Sequence, residues 1–371
     1  MVAASLVDTY EDWWQGRNSE PLMAVHVGDP KFDIGAQMPA WMDRSVPGYK
    51  LISYALSFCE KEESYRPLQD VLDVLETPRT DLAYLGAAFP SARCDFGPIT
   101  VGGNISGYAK FDLASKSVWF ELDEGWSLER IAALPETASS PWADLCRGAA
   151  REIVQRFGGR LLLADSPTFG ILDTLAALRT TNQLIEDCID APDLVLAAAA
   201  ALARISWRYW DEMRALLDPV NQGLYSSWGL ISRRPIAPCQ SDFSVLLSPA
   251  LYEKLVLPGI REEARRIGRA LYHLDGPEQI KYLDLILSIP EIRAIQWPSY
   301  PGHPVLSGAW DHLLRKVIDS GRQLILGTCE IPGNPESVRA LFAKFPCESF
   351  HLTFWVPDVN TGEKLLRAAE Q

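Results

Sequence analysis

From about residue 80 the chain alternates short runs rich in β-branched and aromatic residues with longer amphipathic stretches. The short runs are "LAYLGAAF", "GRLLLADS", "GLYSSWGL", "APCQSDFSVLL", "RALYHLDG", "IRAIQWPS", "RQLILGTCE" and "SFHLTFWVP". Between them the apolar positions take helical spacing. Trp310, Leu313, Leu314, Val317 and Ile318 fall at i, i+3, i+4, i+7 and i+8. Val338, Leu341, Phe342 and Phe345 repeat the pattern behind Asn334 and Pro335, a cap residue followed by a first-turn proline. "LVLAAAAALARISW" reads as one packed helix, with Asp190 as its N-cap and Pro192 in its first turn. Strand then helix, eight times over, is the pattern of a parallel sheet covered by helices. That count favours a closed (β/α)8 TIM barrel over an open sheet. Residues 1–80 read as an N-terminal extension and 91–145 as an insertion, within a single domain spanning 1–371.

Composition changes this picture little and narrows the partners. With 47% apolar and 22% charged residues, the chain has the make-up of a folded globular protein. A net charge of −13 without a Lys/Arg run speaks against nucleic acid and against an anionic membrane surface. Seven scattered cysteines without CxxC spacing suit reduced thiols, and the acidic N-terminal stretch does not read as an export signal, so a cytoplasmic location is expected.

In barrels of this kind the chemistry sits where strands end and helix-bound loops begin. "ALYHLDGPEQ" ends an expected strand with His273 and Asp275, two apart and therefore on one side. A carboxylate beside a histidine can tune it as a general acid or base. The plainer alternative is a histidine satisfying a buried contact, with Asp275 capping the next helix. Asp165, Trp228, Asp242, Trp297 and Trp355 stand at other strand ends and are expected to line a pocket for a small organic substrate. The glycine-rich "GPITVGGNISGY" lacks both phosphate-loop and dinucleotide spacing and reads as an ordinary turn. "PGHP" at 301–304 and His351 read as structural.

Three segments resemble the uroporphyrinogen decarboxylase superfamily of (β/α)8 barrels: "CQSDFSVLLSPALYEKLVLPGIREEARRIGRALYHLDG", "EIRAIQWPSYPG" and "FHLTFWVPDVNTGEKLLRAAE". The resemblance covers roughly residues 150–371. It implies decarboxylation or a methyl transfer linked to cobalamin. The decarboxylases hold substrate carboxylates with an Arg-Gln-Ala-Gly-Arg motif, of which "PAWMDRSVPGYK" keeps only Arg44, so a true uroporphyrinogen decarboxylase is not expected. The zinc methyltransferases carry His-x-Cys-Gly where this chain has "HLDG", and a further Cys whose place falls near Trp355. On that resemblance His273 and Asp275 would hold zinc or a harder divalent ion, and Cys329, one strand before the family's position, could supply a third ligand. The implied activity is methyl transfer or demethylation of a small organic substrate, with a corrinoid on a partner protein as methyl acceptor. Two alternatives stay open: a metal-independent lyase or decarboxylase using His273 as acid/base, and a non-catalytic small-molecule binding protein on the same barrel.

Overall fold

The computed structural model describes residues 2–28, 40–43, 50–53, 82–94, 99–108, 110–112, 117–165, 169–298, 308–326 and 334–370; at 40–43, 50–53, 93, 110–112 and 117–119 it describes the backbone alone. Cys329, the 301–304 stretch and Arg44 lie outside the described residues.

The strands, in chain order, are β1 (Leu22–Val27), β2 (Ala40–Asp43), β3 (Lys50–Ser53), β4 (Ala83–Gly86), β5 (Ser91–Arg93), β6 (Lys110–Asp112), β7 (Ser117–Trp119), β8 (Leu162–Ala164), β9 (Tyr225–Ser227), β10 (Leu230–Ser232), β11 (Ile236–Cys239), β12 (Arg269–His273), β13 (Ile292–Trp297), β14 (Gln323–Leu326) and β15 (Phe350–Val356). Seven of them form one sheet in the order β11-β12-β13-β14-β15-β1-β4. Every neighbouring pair is parallel except β1 and β4. β5 and β8 form a separate parallel pair, and β9 and β10 a hairpin. The fold is therefore α/β with a mostly parallel sheet. The described ladders do not close it into a barrel.

Two expectations change here. The run at 83–86 is a strand, but an antiparallel one. Residues 22–27, expected in an N-terminal extension, form β1 inside the main sheet, between β15 and β4. "LMAVHV" is a short apolar run of six residues, buried along almost its whole length, and stands before the stretch where the strand–helix rhythm sets in.

Strand alternation sorts the side chains onto two faces. Val25, Tyr272, Ile295, Trp297, Leu324 and Leu352 pack under the helices. Ala24, Leu271, Ala294 and Ile325 face the other way, against the helix α1 (Ala4–Trp14). Tyr10, Trp13 and Trp14 of α1 are almost wholly buried there, each worth on the order of 2–3 kcal/mol of transfer free energy. Glu11 of α1 pairs with buried Arg269 at 2.7 Å, and Arg269 also donates to Ser232 Oγ at 2.7 Å. Both ends of that pair are hydrogen-bonded, as burial of charge requires.

The sequence periods predict the Asp311–Asp319 and Pro335–Phe342 helices well, and Asn334 caps the latter by accepting from Glu336 N at 2.9 Å. The alanine-rich stretch lies in the helix Pro192–Asn221, whose cap is Ala191; Asp190 instead ends the preceding helix. No described helix is long and apolar enough to cross a membrane. The glycine-rich stretch contains a short helix, Thr100–Ser106, rather than a turn. A Cβ on Gly103 would lie 2.4 Å from Phe120 Cδ1, so its glycine serves close packing.

Candidate metal centre

Parallel neighbours bring their C-terminal ends to one edge of the sheet, and β11 and β12 deliver the central groups there. β12 ends on His273, which shares its face with Leu271, the face turned away from the helices. Asp242 opens the short 3₁₀ turn Asp242–Leu246 just after β11. Asp275 follows β12 by two residues. It is not a helix cap: the 3₁₀ segment Pro277–Tyr282 is preceded by Gly276, with no side-chain cap. Candidate ligand atoms of Asp242, His273 and Asp275 all lie within 4.8 Å of one another. His273 Nε2 is 4.0 Å from Asp275 Oδ1.

The histidine is oriented from both sides. Its Nδ1 hydrogen-bonds Gln296 Oε1, the residue opposite it in the β12–β13 ladder. Because an amide oxygen only accepts, Nδ1 donates and Nε2 carries the free lone pair. The Trp228 ring meets the imidazole edge-on, with centroids 5.0 Å apart and planes at 75°. Trp228 and Gly229 are the two-residue loop of the β9–β10 hairpin, both at positive φ, 52° and 74°. That is the dihedral signature of a tight hairpin turn, and it is costly for a tryptophan. α1 supports the turn: Tyr10 donates to Gly229 O at 3.1 Å and Trp14 Nε1 to Ile231 O at 2.8 Å.

Burial lowers the His273 pKa; the Gln296 hydrogen bond and the charges of Asp275 and Asp173 oppose it. Burial, then the Asp275 charge, pushes Asp242 up to about 6 against the Gln279 hydrogen bond. Asp173 stands behind them, pushed up to about 7 by burial and the Asp242 charge, and its Oδ1 accepts from Phe243 N at 2.7 Å. Like charges held this close resist joint ionisation, and a cation relieves them. Buried Asp173 Oδ2, Ser241 Oγ and Gln279 Oε1 also lack hydrogen-bond partners among the described residues. Such atoms are ordinarily satisfied by internal water or an ion. One imidazole and two carboxylates thus form a candidate site for a divalent ion of oxygen-preferring character.

The other expected site residues divide. Trp228 joins His273. Trp355 lies on the same face of the sheet and stacks on His26, centroids 4.5 Å apart and planes at 24°. Trp297 is on the opposite face, wholly buried against Trp310, so it belongs to the core and not to a mouth. Asp165 is held in the helix layer, accepting from Trp210 Nε1 at 3.2 Å with Arg214 at 3.6 Å. Its carboxyl anchors a long helix and makes no contact with the His273 group among the described residues. His351 is buried beside Tyr10, 3.3 Å from its hydroxyl, and is structural as expected. Gln296, Gln279, Asp173 and His26 were not singled out by sequence. For Gln296 a signal existed: in "AIQWP" the glutamine, not the tryptophan, shares the parity of Ala294.

The fold and site define an α/β protein with a mostly parallel sheet and a His/carboxylate cluster at one strand edge. Among solved structures, the chain is similar to a methyltransferase from Methanosarcina mazei, with a TM-score of 0.50 at 12% identity over 76% of this chain and 80% of that one. The likeness is one of fold. No family model matches the sequence, and neither does any curated protein.

Proposed function

We propose that this chain is a methyltransferase-like enzyme on a (β/α)8 barrel. It would move a methyl group between a small organic substrate and a corrinoid carried by a partner protein. The observation that supports this reading most is the convergence of Asp242, His273 and Asp275 at adjacent strand ends, on a fold shared with a methyltransferase. His273 Nε2 and the two carboxylates would hold a divalent ion, with Gln296 fixing the imidazole. When bound, such an ion supplies Lewis acidity to the substrate heteroatom that loses or receives the methyl group. Trp228 and Trp355 would give the substrate's carbon skeleton an apolar wall. The transferred methyl takes its new bonding pair from the acceptor, while the donor heteroatom keeps the old pair and takes a proton. Cys329, which precedes in sequence the family's further cysteine position near Trp355, stays part of the proposal as a third ligand.

A second reading has its own observation. His273 is biased toward the neutral imidazole, with Asp275 Oδ1 at 4.0 Å, which suits acid/base work in a metal-independent lyase. Elemental analysis of the purified protein, together with methylation of a reduced corrinoid from a panel of methyl donors, separates the two. Stoichiometric divalent metal, lost in Asp242→Ala and His273→Ala along with corrinoid methylation, supports the methyltransferase. Metal retained in His273→Ala removes His273 as an essential ligand. Turnover without metal favours the lyase, and ligand binding with no turnover a binding protein.

A further inference from the structure

On the helix-covered side of the sheet, a cleft of about 440 Å³ opens between the helices Pro192–Asn221 and Leu257–Ile267. Its walls are Leu172, Leu196, Ala199, Ala203, Val256 and Ile260. Ser241 and Glu263 touch its inner end, where Ser241 Oγ and Glu263 Oε2 are fully buried and without a hydrogen-bond partner among the described residues. Burial and the Asp173 charge push Glu263 up to about 8, which leaves that end uncharged at neutral pH. Helix–helix seams normally close over alanine and glycine; here Ala199, Ala203 and Gly259 face space, and a Cβ on Gly259 would meet nothing within 4 Å.

The rim carries charge of one sign to spare. Glu262 is engaged by Arg265 through two hydrogen bonds, of 2.9 and 2.7 Å. Arg266 lies over Trp207 and pairs with Asp211. Arg204 is exposed, bonds only the Ala200 carbonyl, and has no acidic partner among the described residues. In a chain of net charge −13, an unneutralised arginine beside an apolar cleft is complementary to one ligand class. We propose that this cleft binds an amphipathic carboxylate, its alkyl chain between the two helices and its head group at Arg204. The volume is that of an ordinary small-molecule pocket. None of Asp242, His273 and Asp275 lines the cleft, and the proposal does not depend on the reaction proposed for that cluster.

Decanoate below its micelle concentration, titrated calorimetrically into the full chain at pH 7, is the test. Saturable one-to-one binding is expected, and decyltrimethylammonium, with the same tail and opposite charge, should bind at least tenfold more weakly. Gly259→Leu fills the cleft in open space and should abolish binding without lowering the melting temperature. Arg204→Glu should weaken decanoate at least tenfold and narrow the preference over the cationic amphiphile. Metal content should be unchanged in both variants. Absence of saturable binding, equal binding of the two amphiphiles, or undiminished binding in Gly259→Leu would overturn the proposal. So would a self-association of the chain that Gly259→Leu alone disrupts, which would make the cleft a contact between copies.

Discussion

His273 and Gln296 face each other across the β12–β13 ladder, and the imidazole Nδ1 is bound to the amide Oε1. The pairing is a direct product of register: His273 ends β12 and Gln296 stands one residue before the end of β13, both on one face, two residues beyond Leu271 and Ala294. It turns Nε2 toward Asp275 and Asp242. A histidine held this way has one ligand nitrogen, not two.

Gln296→Leu should therefore uncouple orientation from charge. The ring remains, but neither tautomer nor rotamer is fixed. We expect divalent-metal affinity to fall by about 10–100-fold, the usual cost of losing a ligand's outer hydrogen bond. The melting temperature of the metal-free protein should move by only a few degrees. Equilibrium dialysis against Mn²⁺ or Zn²⁺ measures the first quantity; unchanged affinity would remove Gln296 from the site.

Trp228 occupies a left-handed position that suits asparagine better. Trp228→Asn should relieve roughly 1 kcal/mol of backbone strain. It would also remove the ring against His273. The expected result is a protein of equal or higher denaturant midpoint with impaired substrate binding. A clear loss of stability instead would mean that the ring's packing outweighs the strain.

How far the sequence discloses this site follows from what each signal reports. His273 and Asp275 were legible because their two-residue spacing at a strand end fixes a shared face. Parallel pairing of β12 with β13 was legible from the strand–helix rhythm, and the structure has it. Residue type singles out Trp297, but strand parity puts Gln296, not its neighbour, on the side of His273. Asp165 reads as a site carboxylate because its strand end is visible, while its partners Trp210 and Arg214 lie in the third helix further along the chain, Trp210 45 residues away. β1 was hidden because it pairs with the last long strand, a contact between residues far apart in sequence.

Arg269→Met tests the base of the assembly. It leaves the Glu11 carboxylate buried without its partner, and breaking a buried pair from one side costs about 3–5 kcal/mol. Glu11→Gln with Arg269→Met together should recover much of that loss. Chemical denaturation of the single and double variants reads it. Additive losses would show that the two residues are not coupled.

The metal-free protein should become less stable as pH rises from about 7 to 8.5. Burial holds Asp173 at about 7 and Glu263 at about 8, so the folded state keeps protons that an unfolded chain has already released. Their contribution is full below the ordinary carboxyl range and is lost as pH climbs through those folded values. The buried histidines His273 and His351, both shifted downward, oppose the effect only near its lower end, where an unfolded imidazole still holds part of a proton. Melting temperatures across the window check the sign. Glu263→Gln should flatten the slope.

Asp275→Asn brings the charge and ligand roles of the cluster into one experiment. Asparagine keeps the shape and one acceptor oxygen but removes the negative charge. Since that charge helps to hold Asp242 near 6, the Asp242 carboxyl should titrate lower in the metal-free variant, by NMR of the carboxyl carbon. Divalent metal should bind more weakly in the variant at every pH, because one anionic ligand is gone and the remaining pair is too few to hold the ion well. In the wild type, binding should fade as pH drops through about 6, where the Asp242 proton competes with the ion. Fold stability should hardly change, since Asp275 is exposed and caps no helix. If turnover falls with metal loss and returns with excess metal, Asp275 acts as a ligand. If turnover falls with metal content intact, it acts on His273 as a charge partner. Unchanged turnover and metal content together would place Asp275 outside the site.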